Sequence, residues 1–334
     1  MGLPEILIDF KTQAETAVIR SENGIVALIL DDTTKQTLSA TYVYEADIPA
    51  DDWTAKNRDY IKKTFLGTPN KVILERRLNV EDGYAGVLAR LKNKEWDYLA
   101  VPGIANKAVL PCTTASVSAN DEGIINFSTE EINVSGQSYT SAEYCCRIAG
   151  LLAGTAMTES ATYSVLAEIT SIKESETPDT DINEGKFILI NDGEKIKVGR
   201  SVNSLHILSG DKTEDMSKIK IVEAMDLMRK DIRTTFENNY IGINNSYDNK
   251  MLFVGAVKQY FNNLELQGVL DKEADNTVDI DVDAQRQWLA EKYDVSGMSD
   301  SEIRVAKTGS LLFVKASVTF LDAMEDLHFS VLMS

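Results

Sequence analysis

Three strongly apolar runs alternate with helical patterns in the first third of the chain, and this alternation constrains the fold more than any other feature. The runs are GIVALILDD, NKVILERRL and EWDYLAVPG, and the segments AKNRDYIKKTFLG and DGYAGVLARLKNK between them have helical spacing. A strand that is apolar on both faces needs cover on both sides of its sheet. The alternation therefore predicts an α/β domain in which helices cover a mixed sheet.

A second α+β domain is expected after a stretch rich in Ser, Thr, Asn and Gly. Its predicted elements are a helix over 138–154, a strand around TYSVLAEIT, a hairpin with Asn191-Asp192-Gly193 at its turn, and a long helix over 216–242. The predicted division of the chain is an N-terminal arm and connector at 1–23, the α/β domain at 24–135, the second domain at 136–325 and a C-terminal arm at 326–334.

Both ends of the chain alternate between apolar and other residues, which is the period of a β-strand. At the N-terminal end the apolar positions are Ile6, Ile8 and Phe10, and no turn signal follows that could fold this strand into a hairpin. At the C-terminal end they are Leu327, Phe329, Val331 and Met333. A third alternating segment over 311–321 predicts a half-buried strand, with Leu312, Val314, Ala316, Val318 and Phe320 on one face.

The segment SYTSAEYCCRIAGLLAG at 138–154 could be a reactive-thiol site, a phosphate loop or a tightly packed helix. Thr140 and Glu143 have the spacing of a helix capping box, and Glu143 is expected to pair with Arg147 one turn later. The glycines follow the helix start, whereas a phosphate loop needs them before it. We therefore expect a packed helix with Cys145 and Cys146 as small core residues, and Gly150 and Gly154 admitting another backbone.

Charge and motifs argue against several functions. The formal charge of −18 repels nucleic acids and anionic membranes, and no apolar run has the length of a bilayer span. GEKIKVGRS lacks the spacing and the lysine of a P-loop, and the acidic segment from Asp279 lacks the Gly and Glu of an EF-hand; capping of a helix by Asp283 explains that segment. His206 and His328 have no metal-ligand spacing. We expect no catalytic residue, metal or cofactor.

Five stretches, taken in order along the chain, are similar to the contractile tail sheath proteins of phages and phage-derived bacteriocins, particularly the short sheaths of defective prophages. The stretches are GLPEILIDF with GIVALILDD, YTSAEYCCRIAGLLAGT followed by SATY, INEGKFILINDG with KVGRSVNSL, KIVEAMDLMRKDIRTTFENNYIG, and AMEDLHFSV. The resemblance runs almost from end to end. It implies identical subunits that stack around an inner tail tube in a metastable extended state and shorten when triggered.

The resemblance also implies how the subunits are joined. Strands at 5–11 of one subunit and 327–333 of another would complete a sheet in a third subunit, with the strand at 311–321 in the receiving sheet and residues 12–23 as a connector. This is β-augmentation, in which main-chain hydrogen bonds give strength and alternate side chains give register.

The partners implied are the chain itself, the inner tube protein, and the baseplate and tail terminator proteins, with no direct contact to nucleic acid and no membrane insertion. Assembly would take place in the cytoplasm of the bacterial host, as part of a phage tail or a released tail-like particle. The long helix would contact the tube, with the basic residues Lys218, Arg229, Lys230 and Arg233 as candidates. The alternative interpretation is a cytosolic α/β enzyme whose site is assembled from scattered residues.

Overall fold

The computed structural model describes residues 24–79, 83–103 and 119–333. The predicted N-terminal arm strand, with Ile6, Ile8 and Phe10, lies outside these residues. The described residues form two compact units, one made of 24–223 with 322–333, and the other of 224–321. We call them the sheet unit and the hairpin unit. These units divide the chain at other positions than the predicted domains do, and the predicted boundaries near 135 and 325 stay predictions.

The sheet unit contains the predicted mixed sheet. Its four strands are β1 Ile25–Asp31, β2 Ser39–Tyr42, β3 Lys71–Arg77 and β4 Tyr98–Ala100, in the order β2-β3-β1-β4. Strand β1 is parallel to β3 and β4, and β2 is antiparallel to β3. Three helices belong to the same region: α1 Ala55–Phe65, α2 Ala85–Leu91 and α3 Ser141–Gly154.

Helices cover both faces of this sheet, as the apolar runs predict. On β1, Val26, Leu28 and Leu30 belong to a core cluster that also contains residues of α1 and α3. Alternate residues of the same strand, Ile25, Ala27 and Ile29, belong to a second cluster with Val87 and Leu91 of α2. Because successive side chains of a strand point to opposite faces, a strand buried on both sides must be apolar throughout.

Helix α3 begins with the predicted capping box. The Thr140 hydroxyl accepts the Glu143 N–H and the Glu143 carboxylate accepts the Thr140 N–H. Cys145 and Cys146 are fully buried, as expected of core residues. The expected pair between Glu143 and Arg147 is wrong: Glu143 contacts Lys56, and Arg147 contacts Glu168 at 2.6 Å. The tertiary partners are closer than the partner one turn away.

Helices α1 and α3 touch backbone to backbone through three glycines. A Cβ on Gly150 would lie 2.1 Å from the Thr64 carbonyl oxygen, and one on Gly154 would lie 1.7 Å from the Gly67 oxygen. Real Cβ atoms do not approach that closely. The pair of glycines four residues apart in α3 therefore lets α1 approach, which is the packed-helix interpretation of the segment 138–154.

The rest of the sheet unit consists of short strands around α3. The predicted hairpin is present as β10 Leu189–Asn191 and β11 Ile196–Val198. The predicted strand around TYSVLAEIT is wrong, because Tyr163 has φ of +60° and the next residues form turns, so that strand β8 begins only at Ile169. The remaining elements are β5 Asn126–Phe127, β6 Glu130–Val134, β7 Gln137–Tyr139, β8 Ile169–Lys173, α4 Pro178–Asn183 and β9 Lys186–Phe187.

The hairpin unit is built on two long helices and a two-stranded antiparallel sheet. The predicted long helix is α5 Ile219–Asn239, whose residues from Ala224 onward belong to this unit. The other elements are α6 Tyr247–Leu266, β12 Thr277–Ile280, α7 Val282–Ala290, α8 Asp300–Val305 and β13 Val314–Ser317. The cap of α7 is Asp281, which accepts the Ala284 N–H, and the prediction of Asp283 is therefore wrong. Among the described residues, no helix has the length and apolarity to cross a membrane.

Candidate functional site

Strand β13 has one edge that the described part of the chain leaves without a strand partner. Its other edge pairs with β12, with Thr277 opposite Ser317 and Ile280 opposite Val314. The predicted strand over 311–321 is regular only over Val314–Ser317, and beyond it a single bridge joins Leu270 to Phe320. On β13, Val314 is half-buried and the residues Lys315, Ala316 and Ser317 are exposed.

The hydrogen-bond pattern shows which backbone groups face the open edge. Phe313 accepts the N–H of Asp281, Thr319 accepts that of Asp271, and Leu321 donates to Val269, all on the paired side. Neighbouring residues of an antiparallel strand turn their N–H and C=O groups to opposite edges. Val314, Ala316 and Val318 therefore turn theirs to the open edge. Unpaired backbone groups in a row are a template for another strand.

An apolar groove of about 760 Å³ lies next to this edge. One side is formed by residues of helix α5 and by Phe253 of α6, and the other by the segment around β13. The apolar residues that line it are Met225, Met228, Ile232, Phe236, Phe253, Leu311, Leu312, Val314, Val318 and Phe320. Four of the five residues predicted for the receiving strand face are in this lining. Ala316 is exposed on β13.

The middle section of an apolar stripe on helix α5 lines the groove. The stripe, which ends at the residue after the helix, consists of Ile221, Met225, Met228, Ile232, Phe236 and Tyr240. Met225, Ile232 and Phe236 are only half-buried, whereas Ile221 and Tyr240 at the ends of the stripe are buried. A stripe with this spacing is ordinarily core-facing. In the described residues the middle section of the stripe faces the groove. The sequence pattern therefore predicts which face of the helix is apolar but not that this face is partly accessible.

The four basic residues proposed as tube contacts lie in different surroundings. Arg229 and Arg233 border the groove, and Arg229 also pairs with Asp226 at 2.5 Å. Lys230 is half-buried on α5. Lys218 precedes the helix and pairs with Asp322. The structure therefore brings two of the four together at the groove, and contact with a tube stays a prediction for all of them.

The C-terminal arm lies on the surface. Leu327, Phe329, Val331 and Met333 are 86%, 79%, 67% and 92% exposed, and no strand is assigned to them. Exposed apolar side chains in a row are uncommon on a monomer and mark a surface that pairs with something else. The preceding residues are held differently, since Asp322, Glu325 and Asp326 contact basic residues or hydroxyls of the sheet unit. No local pattern in the sequence predicts these acidic contacts.

The described cysteine and histidine side chains are the remaining candidates for chemistry named in the sequence. Burial raises the pKa of the Cys146 thiol to about 12, so this sulfur is protonated at neutral pH and a poor nucleophile. No group of three His, Cys, Asp or Glu side chains within the described ranges could hold a metal ion. His206 is exposed and its ring nitrogen Nδ1 lies 2.8 Å from the Ser204 carbonyl oxygen.

An open strand edge, an apolar groove beside it and an exposed apolar arm are surfaces suited to contact with other chains, as in a subunit of an assembly. Comparisons with known proteins give the family. The family model described as the phage tail sheath C-terminal domain matches residues 211–334. A tail sheath protein of Clostridium phage phiCD119 is 37% identical to this chain, and the alignment covers 99% of both.

Two solved structures have the same fold at low sequence identity. The helical sheath of the anti-feeding prophage in its contracted state has a TM-score of 0.68 and 13% identity, covering 100% of both chains. A chain in the baseplate structure of the same particle has a TM-score of 0.65 and 12% identity, covering 94% of both chains. The chain belongs to the phage tail sheath family. It is a structural subunit of a contractile tail sheath, and hence a component of a phage tail or phage-tail-like particle.

Proposed function

We propose that this subunit polymerises around an inner tail tube through exchange of its two arm strands, and that repacking of the subunits shortens the sheath and drives the tube through a bacterial envelope. The open edge of β13 carries the proposal. In it, residues 5–11 and 327–333 of neighbouring copies extend the β12–β13 sheet of a third copy, and Lys218, Arg229, Lys230 and Arg233 remain candidates for contact with the tube.

The chemistry of the open edge fits such a strand. Val314, Ala316 and Val318 offer backbone groups at alternate positions. Each hydrogen bond formed there makes a net contribution of about 1 kcal/mol to binding. The apolar groove would take the alternate side chains of the arriving strand, either Ile6, Ile8 and Phe10 or Leu327, Phe329, Val331 and Met333. Burial of each large apolar side chain adds about 1.5–3 kcal/mol. Several weak contacts repeated in every subunit suffice for a polymer.

The partners follow from this role. Self-association is supported by the likeness to a chain of the anti-feeding prophage helical sheath, and contact with a baseplate by the likeness to a chain of that particle's baseplate. We propose the tube protein and a terminator protein as further partners, with assembly in the host cytoplasm. We also propose that the subunit works without enzymatic activity, because the work of contraction would come from the difference in packing between two lattices.

Proline at position 316 tests the proposal directly. The Ala316 N–H faces the open edge, so Ala316→Pro removes a donor needed for an arriving strand but none of the bonds to β12. We expect this variant to keep the thermal unfolding transition of the parent and to lose long polymers in electron micrographs. Ala316→Thr is the matched control, because it keeps the N–H and suits a strand.

A second experiment removes an arm. Deletion of residues 327–334 takes away apolar side chains that contribute nothing to the subunit's own core, since they are exposed. The truncated chain should fold normally and fail to form full-length sheaths. Normal polymers from both the deletion and Ala316→Pro would refute strand exchange at this edge.

A further inference from the structure

Three stretches that are far apart in sequence meet where the C-terminal arm leaves the subunit. They are SATY at 160–163, the segment around Arg200 that follows β11, and the acidic residues 322–326. Every contact among them lies inside the sheet unit. The strand-exchange mechanism does not account for these contacts.

Glu325 is the centre of this meeting point. Its side chain is only 13% exposed, although its neighbours Met324 and Leu327 are 104% and 86% exposed. One carboxylate oxygen accepts hydrogen bonds from the Ser160 and Thr162 hydroxyls, both at 2.7 Å. Glu325 therefore inserts into the sheet unit between exposed residues, and Asp322 and Asp326 on either side of it pair with Lys218 and Arg200.

Contacts that do not involve Glu325 also orient the Ser160 and Thr162 hydroxyls. The Ser160 oxygen accepts the Thr162 N–H at 3.2 Å, and the Thr162 oxygen accepts the Ser201 N–H at 2.9 Å. Each hydroxyl can therefore turn its hydrogen to the carboxylate while it accepts a backbone N–H, and for Ser160 the carboxylate at 2.7 Å is closer than the Thr162 oxygen at 3.0 Å. Hydrogen bonds from such fixed donors to a charged acceptor are among the strong ones.

Positive charge surrounds the same carboxylate. The second oxygen of Glu325 lies 3.5 Å from Arg200 Nε, and Arg200 Nη2 also contacts Asp326 at 2.6 Å. Lys220 is 6% exposed; its burial lowers its pKa, and the charges of Asp322 and Glu325 act against that shift.

Backbone strain occurs at the same place. Tyr163, directly after Thr162, has φ of +60°, a conformation that costs a non-glycine residue on the order of 1 kcal/mol or more. Its N–H donates to Val198 and the Thr162 oxygen is bonded to the next segment. The surrounding hydrogen bonds thus keep the Thr162 hydroxyl in position despite an unfavourable backbone conformation.

We propose that Ser160, Thr162 and Arg200 form a carboxylate-binding site that anchors the C-terminal arm at Glu325. The anchor fixes the point at which residues 327–333 leave the subunit. Along the chain, Glu325 lies between β13 and residues 327–333. A force applied to the arm would therefore act on the sheet unit and not on the receiving strand. Only this last consequence rests on the proposed strand exchange.

A double-mutant cycle on the full-length chain, read as the thermal unfolding midpoint of its unpolymerised fraction, tests the anchor. Glu325→Ala and Thr162→Val should each lower the midpoint by about 2–4 °C. The double variant should lose less than the sum of the two, because both substitutions remove the same hydrogen bond. Met324→Ala, next to Glu325 but fully exposed, is the control; it should shift the midpoint by less than about 1 °C and add fully to Thr162→Val.

Far-ultraviolet circular dichroism below the transition reports whether the sheet unit is still folded, and it should be the same in all three single variants. If Glu325→Ala leaves the midpoint unchanged, or if its effect adds fully to that of Thr162→Val, the anchor does not exist. This result would leave strand exchange untouched, because the Ala316→Pro experiment concerns the other unit.

Discussion

Replacing Gly150 by alanine should destabilise the sheet unit, although alanine is the better helix former. The new Cβ would lie 2.1 Å from the Thr64 carbonyl oxygen and 2.9 Å from its carbon, whereas acceptable contacts begin near 3.0 Å. Both atoms belong to the backbone of α1, so no side chain can move aside. The two helices must separate by about 1 Å where they cross.

The size of the effect follows from two opposing contributions. Overpacking of a close-packed core costs about 1–3 kcal/mol, and a backbone overlap belongs at the upper end of that range. Alanine in place of glycine returns up to about 1 kcal/mol in helix propensity. We expect a net loss of about 2 kcal/mol, which for a unit of this size lowers the melting temperature by roughly 4–8 °C.

Denaturant unfolding followed by circular dichroism measures this loss, and Gly86→Ala in α2 is the matched control. A Cβ on Gly86 meets only the tip of Arg90, at 3.9 Å. The control should be neutral or stabilising by up to about 1 kcal/mol. If Gly150→Ala proves as stable as the parent chain, the close crossing of α1 and α3 is wrong.

Three further predictions concern buried polar groups. Burial alone would raise the pKa of Asp32, but hydrogen bonds from Thr34, Thr54 and Asn57 outweigh it and lower the pKa to about 2. Asp32→Asn should therefore lower the free energy of unfolding by about 2 kcal/mol at pH 7. In denaturant titrations this difference from the parent should disappear as the pH falls from about 4 to 2. Cys145 and Cys146 should react with an alkylating reagent at pH 8 only after unfolding, and rapid labelling of the native chain at these positions in a mass map would contradict their burial. Burial lowers the pKa of Lys250, so the folded state loses this proton at a lower pH than the unfolded state does. The free energy of unfolding of the parent, relative to that of Lys250→Met, should therefore rise as the pH approaches 10.5. A difference between the two proteins that does not change with pH would contradict the lowered pKa.

Local patterns account for the parts of the fold that the sequence predicts. The capping box at Thr140 and Glu143 and the turn at Asp192 involve residues within four positions, where geometry leaves few alternatives. The sheet covered on both faces follows from strands that lack a polar side. The pairing of Arg147 with Glu168 could not be predicted, because several carboxylates compete and tertiary packing selects one.

The candidate site shows the same limit. The apolar stripe of α5 is visible in the sequence, but the half-exposure of Ile232 and Phe236 depends on how far β13 stands from the helix. The anchor at Glu325 joins residues more than 160 positions apart, through hydroxyls whose orientation is set by backbone contacts. A sequence pattern has no signal for either distance.

The most direct measurement is a cryo-electron microscopy map of the assembled polymer, at a resolution that separates strands. Strand exchange predicts an additional strand hydrogen-bonded to Val314, Ala316 and Val318, with its chain traced to the arm of another subunit. A map in which this edge is unpaired, or covered by residues of the same subunit, would contradict the account.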